Sequence, residues 1–446
     1  MSNSSFSSHK ACASVPLAPW ENILLILAVF SMVLPPAFQA ISTGFVALWW
    51  LFRRGWRQIF PEGEGVESSD RVLHLILKVL LIGLLVSIAF RLASMVAEIH
   101  QYGWSNAATI IQQNLKLMGK YGIWGSFLVL AFQYAVSRGW SIDGIVKPLA
   151  VLLSLLAIYM IAQRYTGIHW VHGFSGTLPE NRFAYGVYRA SGFMAHPLTL
   201  AYNLMLVISL CFGLATFHPQ RHTARYWYLC ALMGLVCLFL TNSRFPVILT
   251  LAMIAIYCGI GLRRSMRLWA IGGFIVLSLL ASWSIKDRFG EIFDEQRSLE
   301  DRIPRLVFWE VHWQMFKDQP VFGVGYVFKD QQTVAYYNKL GYNDLKRKYS
   351  AHNIYLQTLA DSGITGLLSM FSMILALVIV AWQLWYRWHL PTLGIIVLSM
   401  LLAGMMQNIL RDSEFLSALW MSLALLLVFF RERIFAAGSQ IKDIQS

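Results

Sequence analysis

Apolar stretches long enough to cross a bilayer as helices, roughly 17 to 25 residues with a few shorter, follow one another along nearly the whole chain. They fall at 20–34, 38–52, 72–94, 121–136, 146–161, 197–216, 226–240, 245–262, 269–283, 364–385, 393–409 and 415–430. Pro35 and Pro36 turn the first pair. The pattern leaves no room for a separate water-soluble core, so residues 1–446 read as one all-α membrane domain with about twelve crossings. Only 13% of the residues are charged, about half the usual fraction of a soluble domain.

Connectors rich in Lys and Arg stay on the cytoplasmic side. Arg53, Arg54, Arg57 and Arg71 share one connector, and Arg138 with Lys147, Arg221 with Arg225, Arg263 with Arg264 and Arg267, and Arg387 mark the later ones on that side. Arg431 and Arg433 place the C-terminal end there too. By parity, the connectors 165–189, 241–244 and 286–361 meet in the opposite compartment. The net charge of +13 is then the mark of these anchors and of contact with membrane lipids, not of nucleic acid.

Cys12 lies in the polar N-terminal tail, whereas Cys211, Cys230, Cys237 and Cys258 lie in apolar runs. Neither a disulfide framework nor a metal site follows from that distribution. The first 20 residues lack a signal-peptide pattern, so the first span is expected to direct insertion.

The connector 286–361, between the ninth and tenth spans, mixes acids and bases and is expected to fold with short helices. Ser298 and Asp301 resemble a capping box, and Arg305, Trp309, His312 and Trp313 recur at helical spacing. With Pro304 as the first helical residue, Arg305 sits where unpaired N–H groups favour an anion. Gly323-Val324-Gly325 reads as a turn, Tyr336-Tyr337 as a packing or interfacial element, and Lys346-Arg347-Lys348 as a basic cluster for water or headgroups.

An arginine at a membrane face costs several kcal/mol unless it is paired or reaches headgroups. Arg189 opens the sixth span and Arg244 stands between the seventh and eighth, each without a nearby acid. Together, opposite a loop with Arg302 and Arg305, they suit a strongly anionic group, because guanidinium binds phosphate oxygens bidentately and keeps its charge. His352 precedes the tenth span and can act as a general base or cap a helix. His196 before Pro197 reads as a helix-start residue, and Arg411, Asp412 and Glu414 as a local ion-pair group. No GxSxG, HExxH, GxxxxGK[ST] or DxD pattern is present.

The ordered set Arg189-x-x-Gly192 with Pro197 and Ala201, Ser243-Arg244, Arg305-x-x-x-Trp309, Asp318-x-Pro320, Gly323-x-Gly325, and His352-Asn353-x-Tyr355-Leu356 followed by Gly363 and Gly366 resembles the O-antigen ligase and polymerase superfamily of bacterial envelope enzymes. The resemblance runs from Arg189 to Gly366. It implies a GT-C-like, metal-independent, inverting glycosyltransferase of the inner membrane, without cofactor, working on the periplasmic side. The implied donor is an undecaprenyl-diphosphate-linked glycan and the implied acceptor lipid A-core oligosaccharide. Carried over, His352 is the base or positioning group for the acceptor hydroxyl, Arg244, Arg189 and Arg305 bind the diphosphate, and Arg302 and Asn353 assist substrate binding. An O-antigen polymerase, joining lipid-linked repeats, shares donor and motifs; a non-enzymatic transporter of anionic lipid-linked glycan is the alternative of a different class, and would show charges within several spans and an inverted repeat.

Overall fold

Two long helices set the frame. In the computed structural model, which describes residues 16–53, 68–169, 183–184, 187–261, 304–342 and 350–445, the helix Ser68–Tyr102 has 35 residues. At 1.5 Å per residue it rises about 50 Å, well beyond the ~30 Å of a hydrocarbon core. The helix Ile354–Trp388 has the same length and packs along it.

In chain order the helices are α1 (Pro19–Phe30), α2 (Pro36–Phe52), α3 (Ser68–Tyr102), α4 (Ala107–Met118), α5 (Trp124–Ser137), α6 (Asp143–Thr166), α7 (Pro197–Phe217), α8 (Arg221–Leu240) and α9 (Arg244–Gly261). They continue as α10 (Pro304–Asp318), α11 (Lys329–Lys339), α12 (Ile354–Trp388), α13 (Thr392–Gly404) and α14 (Ser413–Gln445). A π-helical turn, Gly119–Ile123, joins α4 to α5. One small antiparallel hairpin pairs β1 (Phe183–Ala184) with β2 (Val187–Tyr188).

The protein is a polytopic, essentially all-α membrane protein. Among the described residues six helices are long and apolar enough to cross a bilayer: α3, α6, α7, α8, α12 and the Ser413–Arg433 part of α14. The apolar helices α1, α2, α9 and α13 are shorter. The expected count of about twelve is therefore met only in part among the described residues, and the expected span 269–283 lies outside them. Turns clip the short helices: α1 gives way to a turn before Pro35, and α13 ends at Gly404 in the turn toward Gln407.

Burial ranks the spans. In α7 and α14, 83% of the apolar window is buried, so both sit centrally, as expected for helices apolar on every side. In α3 and α8 the share is 39%, and Leu81, Ile82 and Leu85 of α3 and Leu229 and Leu232 of α8 form outward apolar surface suited to lipid. The N-terminal pair is tied by one buried carboxylate: Glu21 of α1 accepts from Trp49 Nε1 and Arg53 Nε, both at 2.8 Å.

The described part of the long connector folds as expected into short helices. α10 begins at Pro304, and α11 carries Tyr337 into a second small core with Val307, Phe308, Val311, Met315 and Val324. The stripe that α10 buries is thus mostly aliphatic and aromatic: His312 joins it, while Arg305 and Trp313 stay exposed.

Gly323-Val324-Gly325 is the turn that docks this platform. Val324 and Gly325 donate their N–H groups to the carbonyls of Ala360 and Asp361 at 2.9 and 3.0 Å, and Ile364 and Thr365 donate to Pro320 and Val321. These bonds use backbone groups released where α12 breaks at Gly363 (φ 62°, ψ −158°). The expected span edge at residue 364 coincides with that break.

Candidate functional site

Immediately before α12, His352 adopts a left-handed backbone (φ 48°), a conformation that costs a non-glycine residue roughly 1–2 kcal/mol. Its neighbours hold it there. Asn353 caps α12, its Oδ1 accepting from Tyr355 N and Leu356 N at 3.0 and 3.1 Å. Trp309 Nε1 donates to Ala351 O at 3.0 Å, and Ala351 N donates to Gln357 Oε1 at 2.7 Å. The half-buried imidazole lies 6.1 Å from the Phe308 ring, centroid to centroid.

His352 Nδ1 is 2.7 Å from Gln407 Oε1. With the amide oxygen accepting, Nδ1 carries the proton and Nε2 the lone pair, which is the tautomer a general base requires. Gln407 follows Met406, whose sulfur lies 3.5 Å from Arg305 Nη1. The turn after α13 thus meets both the exposed Arg305, through Met406, and the half-buried His352, through Gln407. Tyr202, in the second turn of α7, is within electrostatic range of both Arg305 and Asp412.

Arg189 and Arg244 form the other pair. Ala190 N donates to Leu240 O at 3.2 Å, drawing the strand end against the end of α8. Arg189 Nε then reaches Thr241 O at 3.4 Å and its Nη2 reaches Ser243 Oγ at 3.3 Å. Arg244, the next residue, opens α9, where free N–H groups and the helix dipole favour an anion. Gln163 of α6 bolts the segment down through two bonds with Gly192, at 2.9 and 3.0 Å. Two connectors expected to share a compartment therefore meet side by side. Arg302 and the Lys346-Arg347-Lys348 cluster lie outside the described residues.

Asn353, expected to assist substrate binding, also has a structural task, its amide oxygen capping α12. His196 caps α7, as its reading as a helix-start residue expected, its Nδ1 accepting from Leu198 N at 3.1 Å. One reading changes. Arg411 does not pair with its sequence neighbours but forms a salt bridge with the fully buried Asp361 of α12. Asp412, left beside Glu414, accepts from Thr199 Oγ1 at 3.4 Å, and burial with the Glu414 charge pushes its carboxyl up to about 6.

Gln407 and Arg91 escaped the sequence reading, and His312 was read only as part of the helical stripe of α10. Gln407 carries no motif. His312 is buried, bonds Phe308 O through Nδ1 at 2.7 Å, and is pushed below the usual histidine range by that burial. Arg91 stands inside the apolar run 72–94, where a charge is itself a signal. Among the described residues no group of three His, Cys, Asp or Glu side chains is placed to hold a metal ion.

The sequence model of the O-antigen ligase family matches residues 229–371. This chain carries the domain of the O-antigen ligase and polymerase family. The ligase domain spans most of α8, all of α9 to α11 and the first half of α12, and holds Arg244, Arg305 and His352. Arg189, bonded to Ser243, and Gln407, bonded to His352, lie outside it. No curated protein matches the chain.

Proposed function

We propose that the protein is a glycosyltransferase of the inner membrane that moves an O-antigen glycan from an undecaprenyl-diphosphate carrier onto lipid A-core oligosaccharide at the periplasmic face, with inversion and without a metal. The observation that carries the chemistry is the 2.7 Å bond from His352 Nδ1 to Gln407 Oε1, with Arg305 beside it.

In this reading His352 Nε2 takes the proton of the acceptor hydroxyl. The hydroxyl oxygen forms a bond to the anomeric carbon from the face opposite the carrier, and the bond from that carbon to the carrier phosphate oxygen breaks. The electron pair leaves with the diphosphate. Charge developing there needs fixed cations aimed at it, which is the role of Arg189, Arg244 and Arg305. Arginine suits the task because its charge does not titrate.

The test is reconstitution of the purified protein with lipid-linked O-antigen and lipid A-core, with divalent metal omitted. Joined lipid A-core product supports the ligase. Longer lipid-linked chains alone would assign the polymerase reaction to the same site. Full transfer by a folded His352→Ala protein would overturn the site assignment for either acceptor.

A further inference from the structure

A second cationic site lies between α3, α12 and the start of α14, sunk beneath the docked connector. Arg91 of α3 is 7% exposed. Its Nη1 donates to Ser362 Oγ at 2.7 Å, while Nε and Nη2 are buried without a partner. Arg411 is held by Asp361 and also keeps a buried, unpartnered Nε. Charged donors left unpaired in a dry interior are costly, so their persistence points to an absent acceptor.

The surroundings describe that acceptor. The ring of Tyr326 covers both guanidiniums, at 4.7 Å from Arg91 and 5.6 Å from Arg411, and receives the Lys329 ammonium at 4.7 Å. The carboxylates nearby are already engaged: Asp361 holds Arg411, Glu98 accepts from Val327 N and Asn114, and Asp330 lies 3.8 Å from Lys329. The open donors are those of the two guanidiniums. Away from Tyr326 the pocket, partly open, runs between apolar walls that include Leu84, Met373, Leu377 and Trp420.

We propose that this pocket binds an anionic glycerophospholipid of the surrounding membrane, its phosphate on Arg91 and Arg411 and an acyl chain along the apolar walls. A phosphodiester would supply acceptors for the open Arg91 and Arg411 donors, and a free phosphate would leave the apolar channel unused. The site communicates with His352. Asp361, the partner of Arg411, accepts from Gln357 Nε2 at 3.0 Å, and Gln357 Oε1 accepts from Ala351 N, next to the histidine. The bound lipid therefore braces the segment that presents His352, whichever acceptor the enzyme uses.

Native mass spectrometry on the full-length protein in detergent tests this, titrating phosphatidylglycerol, phosphatidylcholine, farnesyl diphosphate and inorganic diphosphate separately. The expected result is one tightly held phosphatidylglycerol, weakened about tenfold or more by Arg91→Gln and by Leu377→Trp and less by Arg91→Lys. Leu377→Trp leaves every charge in place, so it decides the matter if Arg91→Gln does not fold. Wild-type retention of phosphatidylglycerol by both Arg91→Gln and Leu377→Trp overturns the proposal. So does equal binding of phosphatidylcholine, preferential binding of farnesyl diphosphate, or full displacement of the lipid by inorganic diphosphate.

Discussion

Gly323 and Gly363 are locked backbone against backbone: a Cβ on Gly323 would overlap Asp361 and Ser362, and one on Gly363 would overlap Val321 and Phe322. Both residues also have positive φ, 69° and 62°. Alanine at either position suffers strain and collision together, and no flexible side chain stands in the way to yield. Gly323→Ala and Gly363→Ala should each destabilise the docked connector by more than about 2 kcal/mol. A lower melting temperature in detergent and faster proteolysis between α10 and α12 are the expected readouts. A wild-type melting temperature in both variants would refute the interlock.

In the proposed mechanism Gln407 acts through His352, so its removal should alter rate and pH profile while sparing donor affinity. Gln407→Leu is expected to lower kcat by about 10- to 100-fold, within the range of general-base contributions, with KM for the donor little changed. His352→Ala should abolish transfer in the same assay. An unchanged pH profile for Gln407→Leu would show that the amide does not set the tautomer.

The arginine pair at the end of α8 and the start of α9 should behave as a unit. Arg189→Gln and Arg244→Gln are each expected to cost about 1.5–3 kcal/mol of transition-state stabilisation, the worth of a charge-assisted bond. Because both residues meet the turn from Thr241 to Arg244, the double variant should lose less than the sum. Strict additivity in kcat/KM would mean that they serve different groups.

Acid should act on two residues with opposite sign. The Asp412 carboxyl is raised from its usual 3.8 to about 6, so the folded protein binds more protons than the unfolded one between those values. That contribution to stability is present at low pH and lost as pH rises through about 6. His312 is pushed the other way by burial, so its contribution is present at neutral pH and lost as pH falls below the ordinary histidine range. Asp412→Asn should therefore remove a decline in melting temperature between pH 4 and 6, and His312→Gln should remove a rise. Parallel melting curves for wild type and Asp412→Asn across that range would contradict the burial of this carboxyl.

What could be read directly from the residues was whatever depends on local chemistry. Desolvation of an apolar run is written in consecutive residues, so α7, α8 and α9 begin and end within a few positions of expectation, and Pro304 marks the start of α10 by its own ring. The partner of Arg411 was not legible, because Asp361 is 50 residues away and the adjacent Asp412 is the obvious but wrong choice. Gln407 was invisible for the same reason: an ordinary polar residue becomes important only when the turn after α13 meets the start of α12. On α10 the eye follows Arg305, Trp309, His312 and Trp313, whereas packing against Tyr337 and α12 selects Val307, Phe308, Val311 and Met315. Arg91 is the exception that could have been found, since a lone charge in an apolar run needs a reason.

The overlong α3 has a consequence for how the molecule is assembled. Its protruding end receives the connector: Tyr102 donates its hydroxyl to Val324 O, and Glu98 accepts from Val327 N at 2.7 Å, across 222 and 229 residues of chain. The connector's other footing is the break in α12, which is synthesised after it. A platform that needs one early and one late helix as its supports cannot settle until both are in the bilayer. His352, which it positions, is thus among the last parts of the protein to be placed, and a chain truncated before α12 would carry most of the matched ligase domain without the helix break that docks it.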